Sequence, residues 1–184
     1  MAGGHHLILG TLTDFLTGEI LDDTLDERYR QHIAKLLIDQ KGYHKTDIRS
    51  RQRIPVSAGT CKAFVPLDFS VHLSSAAAMV IKYGPGSIVT RRRPALALAR
   101  IYAPYQVPVV VVTNGETAEV IDGASGKLIS EGFDGIPVRH RLEQILKTAP
   151  LARIHKKRFE MESRILFAFE VDGACPCDET ICRV

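Results

Sequence analysis

Asp68 and Lys82 place one carboxylate and one lysine on two consecutive strand-like runs, an arrangement that suits metal-dependent cleavage of a phosphodiester. The first run is Phe64–Leu73 and the second is Ala76–Lys82. Alternate residues of a strand share a face. Val65, Leu67, Phe69, Val71 and Leu73 should therefore form an apolar face, with Asp68, Ser70 and His72 projecting from the other. On the second run Val80 and Lys82 fall on one side, and Met79 and Ile81 on the opposite side. His72, two residues past Asp68, reads either as a further ligand or as a polar histidine of the strand face.

The elements that must position this pair are legible around it. From Asp23 the apolar residues Leu25, Tyr29, Ile33, Leu36 and Leu37 recur at helical spacing. Asp22, Asp23 or Thr24 can cap that helix, and Gly42 ends it. Asp47–Val56 reads as a strand with Arg49, Arg51 and Arg53 on one face, and Ser57–Thr60 as the turn into the next strand. Ser74–Ser75 joins the two runs named above. Gly84-Pro-Gly-Ser87 breaks the chain, and a helix from Thr90 or Arg91 to Tyr102 follows, with Pro94 in its first turn. Val107–Thr113 is a β-branched run of the kind buried on both faces. Asn114-Gly115 marks a hairpin turn, Ala118–Asp122 pairs back, and Val138–Thr148 and Leu151–Phe169 read as helices. The order α-β-β-β-α-β-β, then helices, predicts a mixed α/β domain.

Composition excludes little: 45% hydrophobic residues, 24% charged residues and a net charge of +3 suit a globular protein. Nucleic-acid binding depends on clustered charge, and clusters exist at Arg49, Arg51 and Arg53, at Arg91-Arg92-Arg93, and at Arg153 with Lys156, Lys157 and Arg158. Ser87 and the three consecutive arginines stand at a helix start, where backbone amides and forked guanidinium donors favour phosphate. The competing reading is a solvated loop whose arginines pair with acids such as Asp47. No apolar run approaches the length of a membrane span. The short apolar stretch Leu7–Leu9 lacks a basic segment before it, so a cytoplasmic protein with reduced thiols is expected.

Taken together, these residues resemble the PD-(D/E)xK nuclease superfamily, and more closely the N-terminal nuclease domain of type I restriction enzyme R subunits. The likeness rests on Glu27-Arg-Tyr-Arg-Gln with Leu36-Leu37 and Lys41-Gly-Tyr43, on Pro66-Leu-Asp68-Phe69, and on Ile81-Lys82. It continues through Tyr105–Pro108, Val109–Thr113 and Asn114-Gly-Glu116. It implies a restriction-endonuclease-like core over residues 23–130. An N-terminal arm (1–22), a helical extension (131–170) and a cysteine-rich tail (171–184) would surround that core. It also implies that Asp68 holds Mg²⁺ or Mn²⁺ through a hard oxygen, and that Lys82 orients or helps deprotonate the attacking water and offsets phosphate charge. Glu27 either reaches the same metal or simply stabilises the first turn of its helix. The implied partner is DNA, with separate translocase or recognition subunits. The family's second acid, two residues before the lysine, is here Val80, and its glutamine–tyrosine pair after the lysine is missing. Three explanations stand: an acid supplied from elsewhere (Glu27, Glu116 or Glu119), a retired site kept for binding nucleic acid or a protein partner, or a shifted strand register.

Cys175, Cys177 and Cys182 are spaced closely enough to serve one soft metal, with Cys61 or a histidine completing the set. Zinc or an iron–sulfur cluster would suit such ligands, and a reduced tail without metal is the alternative.

Overall fold

The computed structural model describes residues 7–172, together with the backbone of residues 182–183. A small hairpin, β1 (Thr11–Thr13) with β2 (Ile20–Asp22), precedes helix α1 (Leu25–Lys35), which runs into a π-helical turn, Leu36–Gln40. The main sheet follows in the order β3 (Ile48–Ala58), β4 (Cys61–Leu73), β5 (Ala76–Tyr83), β6 (Val109–Thr113), β7 (Ala118–Asp122) and β8 (Leu128–Glu131). Only β5 and β6 pair in parallel along that path, and α2 (Ile88–Tyr102) links them. Helices α3 (Arg139–Thr148) and α4 (Lys156–Phe167) follow, and α4 continues into a second π-helical turn, Ala168–Asp172. A two-residue strand, β9 (Cys182–Arg183), pairs with β4 at Ala63 and Phe64. No described helix is long and apolar enough to cross a membrane.

Local chemistry accounts for most boundaries. Thr24 caps α1 by accepting from the Glu27 backbone N–H at 3.2 Å, and Asp26 and Glu27 occupy its first turn. Gly42 takes a φ of 73°, the left-handed conformation that stops a helix. Helix α2 begins at Ile88, earlier than the proline suggests, so Pro94 lies in the second turn and not the first. The β1–β2 hairpin and β8 are short and mostly exposed, and so carry no alternation that a sequence reading could detect.

The sheet has an apolar core on each face. Val65, Leu67, Val80, Val110 and Val112 pack under α2 and α4 with Leu98, Leu166 and Phe167. Phe69, Val71, Met79, Ile81, Val109 and Val111 pack with Ile33 and Leu37 of the first helical segment and Leu142 of α3. The single apolar face expected for β4 is thus split between the two cores. The same reversal occurs on β3, where Ile54 and Val56 face α2 and α4 but Ile48 faces the other side. It falls at Arg51 and Asp68, between the pairs Ser50↔Phe69 and Gln52↔Leu67, with no slip in register. Arg51 has a φ of 49°, uncommon for a residue with a side chain and unexpected within a strand. Asp68 consequently does not share a face with Ser70 and His72, contrary to simple alternation.

Val80 is 1% exposed within the core under α4. Val80→Thr keeps the shape but buries a hydroxyl among apolar side chains, which should cost roughly 1–3 kcal/mol. Urea unfolding of the two proteins measures this; equal midpoints would mean that Val80 lines a hydrated site.

Candidate functional site at the fork between β4 and β5

The ladder between β4 and β5 runs up to Phe69↔Ile81, and side chains take over beyond it. Asp68, 5% exposed, accepts the Tyr83 backbone N–H on Oδ2 at 2.8 Å and the Arg30 Nε–H on Oδ1 at 2.7 Å. Lys82, 6% exposed, donates from Nζ to the Pro66 carbonyl at 2.7 Å. Its ammonium is also paired with Glu170 Oε2 at 3.1 Å. The two residues singled out from the sequence therefore flank the same fork, but each has its own counter-ion.

Glu27, buried on the first turn of α1, accepts from Gln31 Nε2 at 2.8 Å and from Arg51. Arg30 stands between the two acids, bonded to Asp68 and 3.8 Å from Glu27 Oε2. Arg51 continues the chain to Asp14, whose carboxylate also accepts the backbone N–H groups of Leu16 and Thr17. Burial alone would lower the pKa of Arg30, but the charges and hydrogen bonds of its acidic neighbours, led by Asp68, outweigh that and raise it. For Asp14, burial pushes the pKa up, and the donated N–H groups with Arg51 bring it below the usual carboxylate value.

A divalent cation of the Mg²⁺ or Mn²⁺ kind needs several free oxygen ligands. Here both Asp68 oxygens accept hydrogen bonds, Glu27 is held by Arg51, Val80 has no oxygen to offer, and two guanidinium groups stand where they would repel a cation. The donor set does not fit a resident metal in this arrangement. Among the described residues, no three His, Cys, Asp or Glu side chains are grouped to hold one. Glu116 lies exposed in the turn after β6, and Glu119 is paired with Arg92. His72 faces α2, in a polar cluster with Ser70 Oγ and the Tyr102 hydroxyl, each 3.0 Å from its Nε2. Cys61 is exposed and has no disulfide partner among the described residues; Cys175 and Cys177 lie outside them, and only the backbone of Cys182 is described.

The basic tract at the start of α2 diverges. Arg92 goes to Glu119, and Arg93 to Glu162 at 2.6 Å. Arg91 has no ion-pair partner among the described residues and lies against Gly84, where a Cβ would come within 3.1 Å of its Nε. Ser87 is the N-cap of α2 and makes no side-chain cap bond. Sequence reasoning missed Arg30, Glu162 and Glu170. Arg30 could have been found, since it lies three residues after Glu27 on the same helical face.

Residues 25–137 match the family model of the type I restriction enzyme R protein N terminus. No curated protein and no solved structure matches the chain. The matched stretch contains Glu27, Asp68 and Lys82 and ends before α3, so Glu162 and Glu170 lie outside it.

Two expectations follow from these ion pairs. Arg30→Met should destabilise by roughly 3–5 kcal/mol, because it leaves Asp68 buried without its counter-ion. The further change Asp68→Asn should recover most of that loss in a denaturant titration. Burial pushes the Glu162 pKa up, but Arg93, Arg158 and Arg100 outweigh it and hold the group below its usual range. A carboxyl depressed in the folded state stabilises above its unfolded value, and that contribution is lost as pH falls through the folded one. Urea midpoints should therefore drop on acidification, and Glu162→Gln, though less stable at pH 7, should show a shallower acid limb.

Proposed function

The chain belongs to the family of type I restriction enzyme R protein N termini, and from that premise we propose that it is a nuclease-fold module that holds DNA without hydrolysing it. The observation that carries this reading is the commitment of both candidate metal ligands to guanidinium groups, Asp68 to Arg30 and Glu27 to Arg51. The order α1-β3-β4-β5-α2-β6, with Asp68 and Lys82 at one fork, supports descent from a PD-(D/E)xK nuclease. Hydrolysis in such an enzyme would draw on Mg²⁺ or Mn²⁺ as Lewis acid and template, and the acids that would hold it here are neutralised.

DNA contact would fall to cations that are not already paired. Arg91 at the start of α2, beside the open Ser87 cap, suits a backbone phosphate. Arg49 and Arg53 add exposed charge along β3, where Arg53 lies 5.0 Å from the centre of the Phe64 ring. Such contacts position a duplex without reading its bases. This role fits assembly with separate translocase and recognition subunits in the cytoplasm. A second reading, metal-dependent cleavage, draws on one observation: Glu170 brings a carboxylate to Lys82 where Val80 brings none.

Supercoiled, linear and single-stranded DNA incubated with the protein in Mg²⁺ or Mn²⁺ should stay intact. Cleavage that disappears in Asp68→Ala would overturn the proposal in favour of the second reading. Binding should weaken with salt, and Arg91→Glu should reduce the slope of log affinity against log salt by about one unit.

A further inference from the structure

We infer that Glu170 is a built-in stopper that occupies Lys82 in place of a phosphate, and that the turn carrying it withdraws when an anionic ligand binds. This rests on the proposed reading of the chain as a module that holds DNA, and it adds Lys82 at the fork as a further phosphate contact, masked by Glu170 until DNA binds.

Lys82 is nearly inaccessible, and a buried ammonium requires a counter-ion. Glu170 supplies it from beyond the family-matched part of the chain. A carboxylate on an ammonium has the same chemistry as a phosphate oxygen on that ammonium, so the contact is a competitor of the expected ligand. The fit is incomplete. Among the described residues Glu170 Oε1 is buried with no hydrogen-bond partner, so Lys82 alone holds its carboxylate. Glu162, whose Oε2 is likewise unbonded, is by contrast paired with three arginines.

The anchoring of α4 is uneven in the same sense. Its middle is fixed by Glu162, paired with Arg93, Arg100 and Arg158. Ser163 adds a two-way tie to the Ser57 backbone, at 3.0 and 2.8 Å. From Ala168 the helix widens into the π-helical turn, where Phe169, next to Glu170, is half exposed, and Val171, seated in the core with Val80, is the apolar anchor that withdrawal must release. Val80 is explained by the same device. An acid at position 80 would be fixed in the sheet, whereas an acid at position 170 stands on a turn that can leave.

Glu170→Gln removes the charge and keeps the shape. In the 184-residue chain, amide exchange over residues 168–172 should accelerate by about tenfold while the rest of the core stays protected. DNA affinity should rise with it, and adding Lys82→Met should erase the affinity gain. If Glu170→Gln fails to fold, Glu170→Asp, one methylene shorter, should show the same changes in smaller measure. Unchanged exchange over 168–172 would overturn the stopper, whatever the affinity. Faster exchange with no DNA binding by any variant would sustain the stopper as a mobile cover and overturn the DNA reading.

Discussion

A carboxylate with no solvent exposure, Glu162, organises the half of the molecule that matters most for the site. It draws Arg93 and Arg100 from α2 and Arg158 from its own helix, and so clamps α4 across α2. Burying that many charges is expensive, and replacing them with apolar groups can leave a protein equally stable. What the cluster secures is position. Once α4 is seated, Leu166, Phe167 and Val171 cover the sheet over Val80, and Glu170 meets Lys82. The absence of an acid at position 80 then has a physical meaning: that side chain belongs to the core beneath a helix.

A second chain of charges runs along the other side of the fork. From Asp68 through Arg30, Glu27 and Arg51 to Asp14, acids and bases alternate, joining β4, α1, β3 and the β1–β2 hairpin. Such a network tolerates no single deletion well, because each member leaves a buried partner unbalanced. It also accounts for the unusual backbone of Arg51. The left-handed residue lies where β3 and β4 both reverse their faces, and its side chain reaches both Glu27 and Asp14.

Much of the fold was legible in the sequence because its signals are local. The β-branched run at 109–113, the turn at Ser74–Ser75 and the capped first helix each declare themselves within a few residues. Asp68 and Lys82 were legible as neighbours for the same reason, since a short turn forces their strands together. Their partners were not. Arg30 and Glu170 meet them only through the tertiary packing of α1 and α4, and no spacing rule connects positions 82 and 170. The reversal at Arg51 was equally hidden, because a strand pattern presumes unbroken alternation and the residue type gives no hint of a positive φ.

The outer strand of the main sheet carries one more implication. Among the described residues β3 has a neighbour on one side only, and an edge of eleven residues is long enough to recruit a strand from another molecule. Arg49, Arg51 and Arg53 line it, Pro55 interrupts its donors, and Arg51 kinks it. On the other flank of β4, the short strand β9 covers Ala63 and Phe64 where β5 does not reach. Arg49 and Arg53, exposed and without an ion-pair partner among the described residues, thus set like charges along that edge whether or not a ligand binds, a feature that opposes pairing with a second copy.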